Sequence, residues 1–141
     1  MTDSHNFPNR RKNLIKLARY FNSRKKLQAE FDMGSYSDTN HLIGSNTCGT
    51  IGCALGHGPY AGIPKPYNQS WFSYSKEFIP HDDFDFLFGS QWAKVDNSKV
   101  GVVRRICYYL EHGAPKSFFD DDVELYEIKD LYADYNKIPA S

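Results

Sequence analysis

Asn46-Thr47-Cys48-Gly49-Thr50-Ile51-Gly52-Cys53-Ala54-Leu55-Gly56-His57-Gly58 decides how the rest of the chain is read. The stretch holds two of the three cysteines, one of the five histidines and four of the ten glycines. From Cys48 to Gly56 every residue except Ile51 and Leu55 is small. Read as a helix, it places Gly49, Gly52 and Gly56 on one face, at i, i+3 and i+7. Glycine inside a helix costs about 1 kcal/mol against alanine, so the stretch weakens its own local preference. Close approach of a neighbouring backbone or a ligand, which a larger side chain would block, offsets that cost. The expectation is a central glycine-rich helix with something packed on its bare flank.

Working outward, residues 1–12 read as a polar, flexible lead-in and 13–141 as one globular domain. Asn13 is placed to cap a helix whose apolar face is Leu14, Leu17, Ala18 and Phe21. Phe31 and Met33 flank Asp32 in a short extended piece ended by Gly34. Ser35 to Thr47 reads as a loop carrying His41 towards the glycine-rich helix. Beyond it, Pro59, Pro64 and Pro66 enforce an irregular connection. Ser70 caps a helix with Trp71, Tyr74 and Phe78 on one side, closed by Pro80. Asp82 or Asp83 opens a short aromatic segment, Phe84, Phe86, Leu87 and Phe88, ended by Gly89.

The best-defined helix follows. Asn97 or Ser98 caps it, and Val103, Ile106, Cys107 and Leu110 form its apolar stripe, with Arg104, Arg105 and Glu111 read as facing out. Gly113 and Pro115 end it. In the acidic stretch 114–141, Leu125, Ile128, Tyr132 and Tyr135 share a face of a last helix; a short strand at Val123 and Leu125 is the weaker reading. The fold class expected is mainly α, with a minor short-strand element.

Bulk properties narrow the function classes. The chain has 141 residues, 40% apolar and 16% aromatic, which is too hydrophobic for disorder and enough for one core. Net charge is zero, which argues against general affinity for nucleic acid or acidic membranes. No apolar run approaches the roughly 20 residues that span a bilayer, and Met1 to Arg11 shows no signal segment. Three cysteines without scaffold spacing fit a reducing compartment, so a cytoplasmic location is expected. Charge is segregated, basic from Arg10 to Lys26 and acidic from Asp120 to Asp134. Solvated faces, or pairing within or between subunits, explain this better than a phosphate-binding patch, and a homo-oligomer stays open.

The order of motifs carries a resemblance. Phe31-Asp32-Met33-Gly34-Ser35, Cys48-Gly49-Thr50, Cys53-Ala54-Leu55-Gly56-His57, Phe88-Gly89, Trp92-Ala93, Val95-Asp96-Asn97, Arg104-Arg105-Ile106 and Glu111-His112-Gly113 are involved. Together they resemble a family of small phage, prophage and bacterial proteins with a C-G-T-x-x-C-x-x-G-[H/W] core. The likeness covers Asn13 to Gly113, so that 13–113 is the family-like core and 114–141 an acidic C-terminal extension. The family carries no established activity. It implies a phage or mobile-element setting, with the host cytosol as the location and counter-defence as a common role. Its pattern admits Trp where this chain has His57, which argues against an obligatory catalytic or metal role there.

Three chemistries compete for the central stretch. His41, Cys48, Cys53 and His57 supply the donor types of a structural zinc site, but Cys48 and Cys53 do not form a knuckle. Cys48 before Gly49-Thr50 is placed as a helix N-terminal thiolate for a cysteine hydrolase, but no complete base and orienting pair follows. Ligand binding without chemistry asks least: Cys48, Gly49, Thr50, Cys53 and His57 line one wall, and Trp92 stacks on a planar group. Tyr60, Tyr67 and Trp71 are further stacking candidates, although Trp71, Tyr74 and Phe78 read first as core. Asp82, Asp83 and Asp85 are better explained as helix caps than as an acid/base pair. The leading expectation is therefore a non-enzymatic binding protein that takes a small nucleotide-like molecule or a host protein. It names no catalytic residue, metal ligand, cofactor or membrane partner. A Cys48 hydrolase and a zinc-stabilised interaction module are the alternatives.

Overall fold

A computed structural model describes residues 7–23, 30–31, 51–52, 54–119 and 123–139. Helix α1 runs Arg10–Asn22 and buries Leu14, Leu17, Ala18 and Phe21, the face read from the sequence. It starts earlier than expected, so Arg10 to Lys12 belong to the helix rather than to a lead-in. Asn13 is not its cap. It lies buried inside the helix and its amide donates to the Glu77 carbonyl at 2.8 Å. Arg10 Nε donates to the Lys76 carbonyl at 2.8 Å. Both side chains satisfy carbonyls left over where a second helix, α2 (Trp71–Ser75), runs out.

The glycine-rich stretch differs from the expected helix. Ile51–Gly52 is a two-residue strand, β2, paired in parallel with β1 (Glu30–Phe31) in the register Glu30 to Ile51 and Phe31 to Gly52. Met33 and Asn46 to Thr50 lie outside the described residues. Helical geometry begins only at Leu55, as a 3-10 turn over Leu55–Ala61 with Pro59 inside it and Gly62 in the left-handed region (φ 98°) after it. Glycine and proline penalise the α-helix, and a tight turn tolerates both. The described part of the stretch is packed, although the close approach falls on Gly58 and not on the expected flank of Gly49, Gly52 and Gly56. Ala54 to Gly58 are all buried, and a Cβ on Gly58 would overlap the Tyr74 ring and hydroxyl. Tyr74 itself is fully buried and donates to the Ile63 carbonyl.

Ser70 caps α2 as expected, accepting from the Ser73 amide at 3.0 Å. A 3-10 turn, His81–Asp83, leads into α3 (Phe84–Phe88), and another, Ser90–Lys94, follows. The expected caps Asp82 and Asp83 make no side-chain cap bond; Asp83 instead accepts from the Tyr109 hydroxyl at 2.5 Å. Helix α4 spans Lys99–His112, capped by Ser98 through the Gly101 amide at 3.0 Å and ended at Gly113 (φ 76°). Its contact with α1 is the most extensive between any two elements. Val102, Val103, Ile106 and Cys107 are buried. So is Arg105, which the sequence reading placed outside.

The acidic extension is part of the same body. After a 3-10 turn at Lys116–Phe119, α5 (Leu125–Tyr132) opens with a reciprocal box in which Glu127 accepts from the Glu124 amide at 3.2 Å. Ile128 and Tyr132 enter the core, with Leu125 and Tyr135 packed beside them. No strand forms at Val123–Leu125. The result is a mainly helical single domain, and no helix among the described residues is long and apolar enough to cross a membrane.

Candidate functional site

Of the predicted binding residues, Cys48, Gly49, Thr50 and Cys53 lie outside the described residues, as does His41. His57 is fully buried, its Nδ1 3.0 Å from the Tyr20 hydroxyl and its ring edge-on to Phe21 at 5.3 Å. Trp92 belongs to the core and does not offer a face to a ligand. It is fully buried, its indole N–H donates to the Phe86 carbonyl at 2.9 Å, and Phe118 stacks on it at 6.2 Å. Tyr60 and Tyr67 are exposed, whereas Trp71 is half-buried beneath the Lys65 ammonium, 4.7 Å from its ring centre. Among the described residues no group of three or more His, Cys, Asp or Glu side chains is arranged to hold a metal.

Where α5 crosses α4 the core turns polar. Arg105 Nη1 donates to the Tyr132 hydroxyl at 3.2 Å, and that hydroxyl donates to Asp96 Oδ2 at 3.0 Å. Asp96 also accepts from Ser98 Oγ at 2.8 Å, and its Oδ2 lies 3.5 Å from Arg105 Nη1. A Cβ on Gly101 would collide with this carboxylate, so glycine in the first turn of α4 makes room for it at the positive end of the helix. The guanidinium sits 4.6 Å from the Trp92 ring centre. Nε and Nη2 of Arg105 have neither solvent nor a hydrogen-bond partner among the described residues. Burial lowers the Arg105 pKa, opposed by Tyr132 and Asp96. Burial likewise pushes the Tyr132 phenol up.

On another side of α4 the chain is open. A groove of about 530 Å³ runs between α1, the C-terminal half of α4 and the tail after α5, lined by Arg11, Cys107, Leu110, Glu111, Asp134, Tyr135, Asn136, Lys137 and Pro139. Arg11 and Lys137 bring positive charge, Glu111 and Asp134 negative, and Cys107, Leu110 and Pro139 apolar surface. Tyr135 is held in place: its hydroxyl is 2.6 Å from His112 Nε2 and its ring is edge-on to Tyr108 at 4.9 Å. The Cys107 thiol is pushed up by burial, which keeps it protonated and a poor nucleophile at neutral pH. A second concavity of about 650 Å³ is bounded by His81 to Asp85, whose Asp83 is already engaged by Tyr109.

The sequence reading missed both places. Arg105 sits beside Arg104 in a helix with a clear apolar stripe, so its charge argued for solvent; only the Tyr132 and Asp96 partners, 27 and 9 positions away, reverse that. The groove needs the tail to fold back along α4, which no local pattern encodes. A weak signal did exist in Tyr132 and Tyr135, read as sharing one face of a last helix, although that helix ends at Tyr132 and Tyr135 lies in the tail after it. Compared with protein-family models, with curated proteins and with solved structures, the chain matches none.

Proposed function

We propose that this chain is a non-enzymatic binding protein whose groove between α1, α4 and the tail holds a small nucleotide-like molecule. The observation that carries the reading is the groove itself. Its volume of about 530 Å³ falls within the roughly 300–1,000 Å³ of small-molecule sites, and it mixes apolar surface with a few charged groups. Arg11 and Lys137 suit a phosphate, the braced Tyr135 ring suits a base, and Glu111 and Asp134 accept from amino or hydroxyl groups. A phage or mobile-element origin, and counter-defence by sequestering such a signal or occupying a host partner, are supported by the motif resemblance alone.

Calorimetric titration with mono- and cyclic dinucleotides tests the ligand. Saturable binding is expected, weakened about tenfold or more by Arg11→Glu and by Tyr135→Ala. Binding that is absent across the panel, or unchanged in both variants, removes the reading.

A further inference from the structure

We propose that the groove between α1, α4 and the tail selects guanine over the other bases, with Asp134 reading the base edge, an inference that rests on the nucleotide-binding reading of that groove. Its floor is apolar and its rim polar. Leu110, Tyr135 and Pro139 are half-buried, whereas Glu111, Asp134 and Asn136 are exposed. Such a floor seats the flat face of a base and leaves its polar edge to the rim. The rim residues of the tail are held in place. The Tyr135 amide donates to the Tyr132 carbonyl at 3.0 Å, and the Asn136 amide to the Asp134 carbonyl at 3.1 Å. Asp134, Tyr135 and Asn136 therefore come to the groove as one braced unit, with the Tyr135 hydroxyl 2.6 Å from His112 Nε2.

The chemistry of the rim decides which edge it takes. An ionised carboxylate only accepts hydrogen bonds, and it does so through two oxygens side by side. Guanine offers two adjacent donors, N1–H and the N2 amino group. Adenine and cytosine set one amino group beside a bare ring nitrogen, and uracil sets one N–H between two carbonyls. Against those edges a carboxylate oxygen meets a lone pair, and a polar group left unmatched in a site is what discriminates most strongly between ligands. Asn136 adds an amide N–H₂, the donor that the guanine O6 beside N1 requires. Desolvation pushes the Tyr135 phenol up, with the Glu111 and Asp134 charges adding to it, so both carboxylates lie within electrostatic reach of that side chain. Of the two, Glu111 Oε2 is drawn to His112, 4.0 Å from its Nε2, and Asp134 belongs to the braced unit.

The test is calorimetric titration of the full chain with the monophosphates of guanosine, inosine, adenosine, cytidine and uridine. The guanosine nucleotide should bind tightest. Inosine lacks only the N2 amino group, and its nucleotide should bind about tenfold more weakly. Asp134→Asn replaces one accepting oxygen with a donor at an exposed position. It should erase the difference between guanosine and inosine, whereas Tyr135→Ala should weaken every base alike. Equal affinity for the guanosine and adenosine nucleotides, or for guanosine and inosine, overturns guanine selection and leaves the nucleotide groove standing. A preference that survives Asp134→Asn and disappears in Glu111→Gln overturns the role given to Asp134. Binding of none of the five removes the groove reading and this inference together.

Discussion

Helix α4 meets α1 and α5 through contacts of opposite character. Towards α1 the interior is hydrocarbon, with Leu14, Leu17, Ala18 and Phe21 from one helix and Val103, Ile106 and Cys107 from the other among the buried residues. Towards α5 the interior contains a chain of polar groups, Arg105 to Tyr132 to Asp96, laid against Trp92. The first kind of interior is non-directional and follows from periodicity. The second depends on three side chains from separate positions meeting across the helix contact, and it leaves two guanidinium nitrogens unmet among the described residues. The apolar contact therefore serves stability, and the polar one is where stability has been conceded.

Substitutions at the two contacts test that division. Removing Arg105 to alanine should cost about 3–5 kcal/mol by taking the cation from beside Asp96 and leaving a cavity under Trp92, comparable with about 2–5 kcal/mol for Leu17→Ala in the apolar contact. Arg105→Met should separate the cases, because it fills most of the volume without unmet donors. Denaturant unfolding should give it less than half the loss of Arg105→Ala. Equal losses for the two Arg105 variants would mean that the polar cluster is a net stabiliser, and the contrast would fall.

A smaller effect sharpens the glycine argument. Gly58→Ala should destabilise by about 1–3 kcal/mol, since Tyr74 has to move out of the way. The loss should largely vanish when Tyr74→Ala is introduced first. A Gly58→Ala protein as stable as its parent would show that the close approach is dispensable.

The smallest effect at neutral pH concerns the tyrosines. Burial, with the Asp83 carboxylate adding to it, raises the Tyr109 phenol, and burial also raises that of Tyr132. A raised folded-state pKa means that the stabilisation is complete below the unfolded value, about 10 for tyrosine, and declines as pH rises above it. Stability should be insensitive to these groups at pH 7 and fall above about pH 10. Tyr109→Phe should flatten that fall by removing one of the two groups. An alkaline unfolding limb equally steep in Tyr109→Phe and Tyr132→Phe as in the parent would contradict this.

What the sequence determined by itself was set by short-range rules. The α1 face, the Ser70 and Ser98 caps, the Gly113 stop and the inward face of the last helix were all readable, because spacing and capping act within a few residues. Chain length and apolar spacing likewise sufficed for a mainly helical single domain. Tertiary structure decided the rest. It drew Asn13 from a cap into a cross-link with Glu77, broke the glycine-rich stretch into strand and 3-10 turn, and enclosed Trp92. It also turned Arg105 inward and folded the tail back to make a groove. Each of these depends on partners far away in the chain, and the free energy of burying a charge or an amide is set by those partners rather than by the residue's neighbours in sequence.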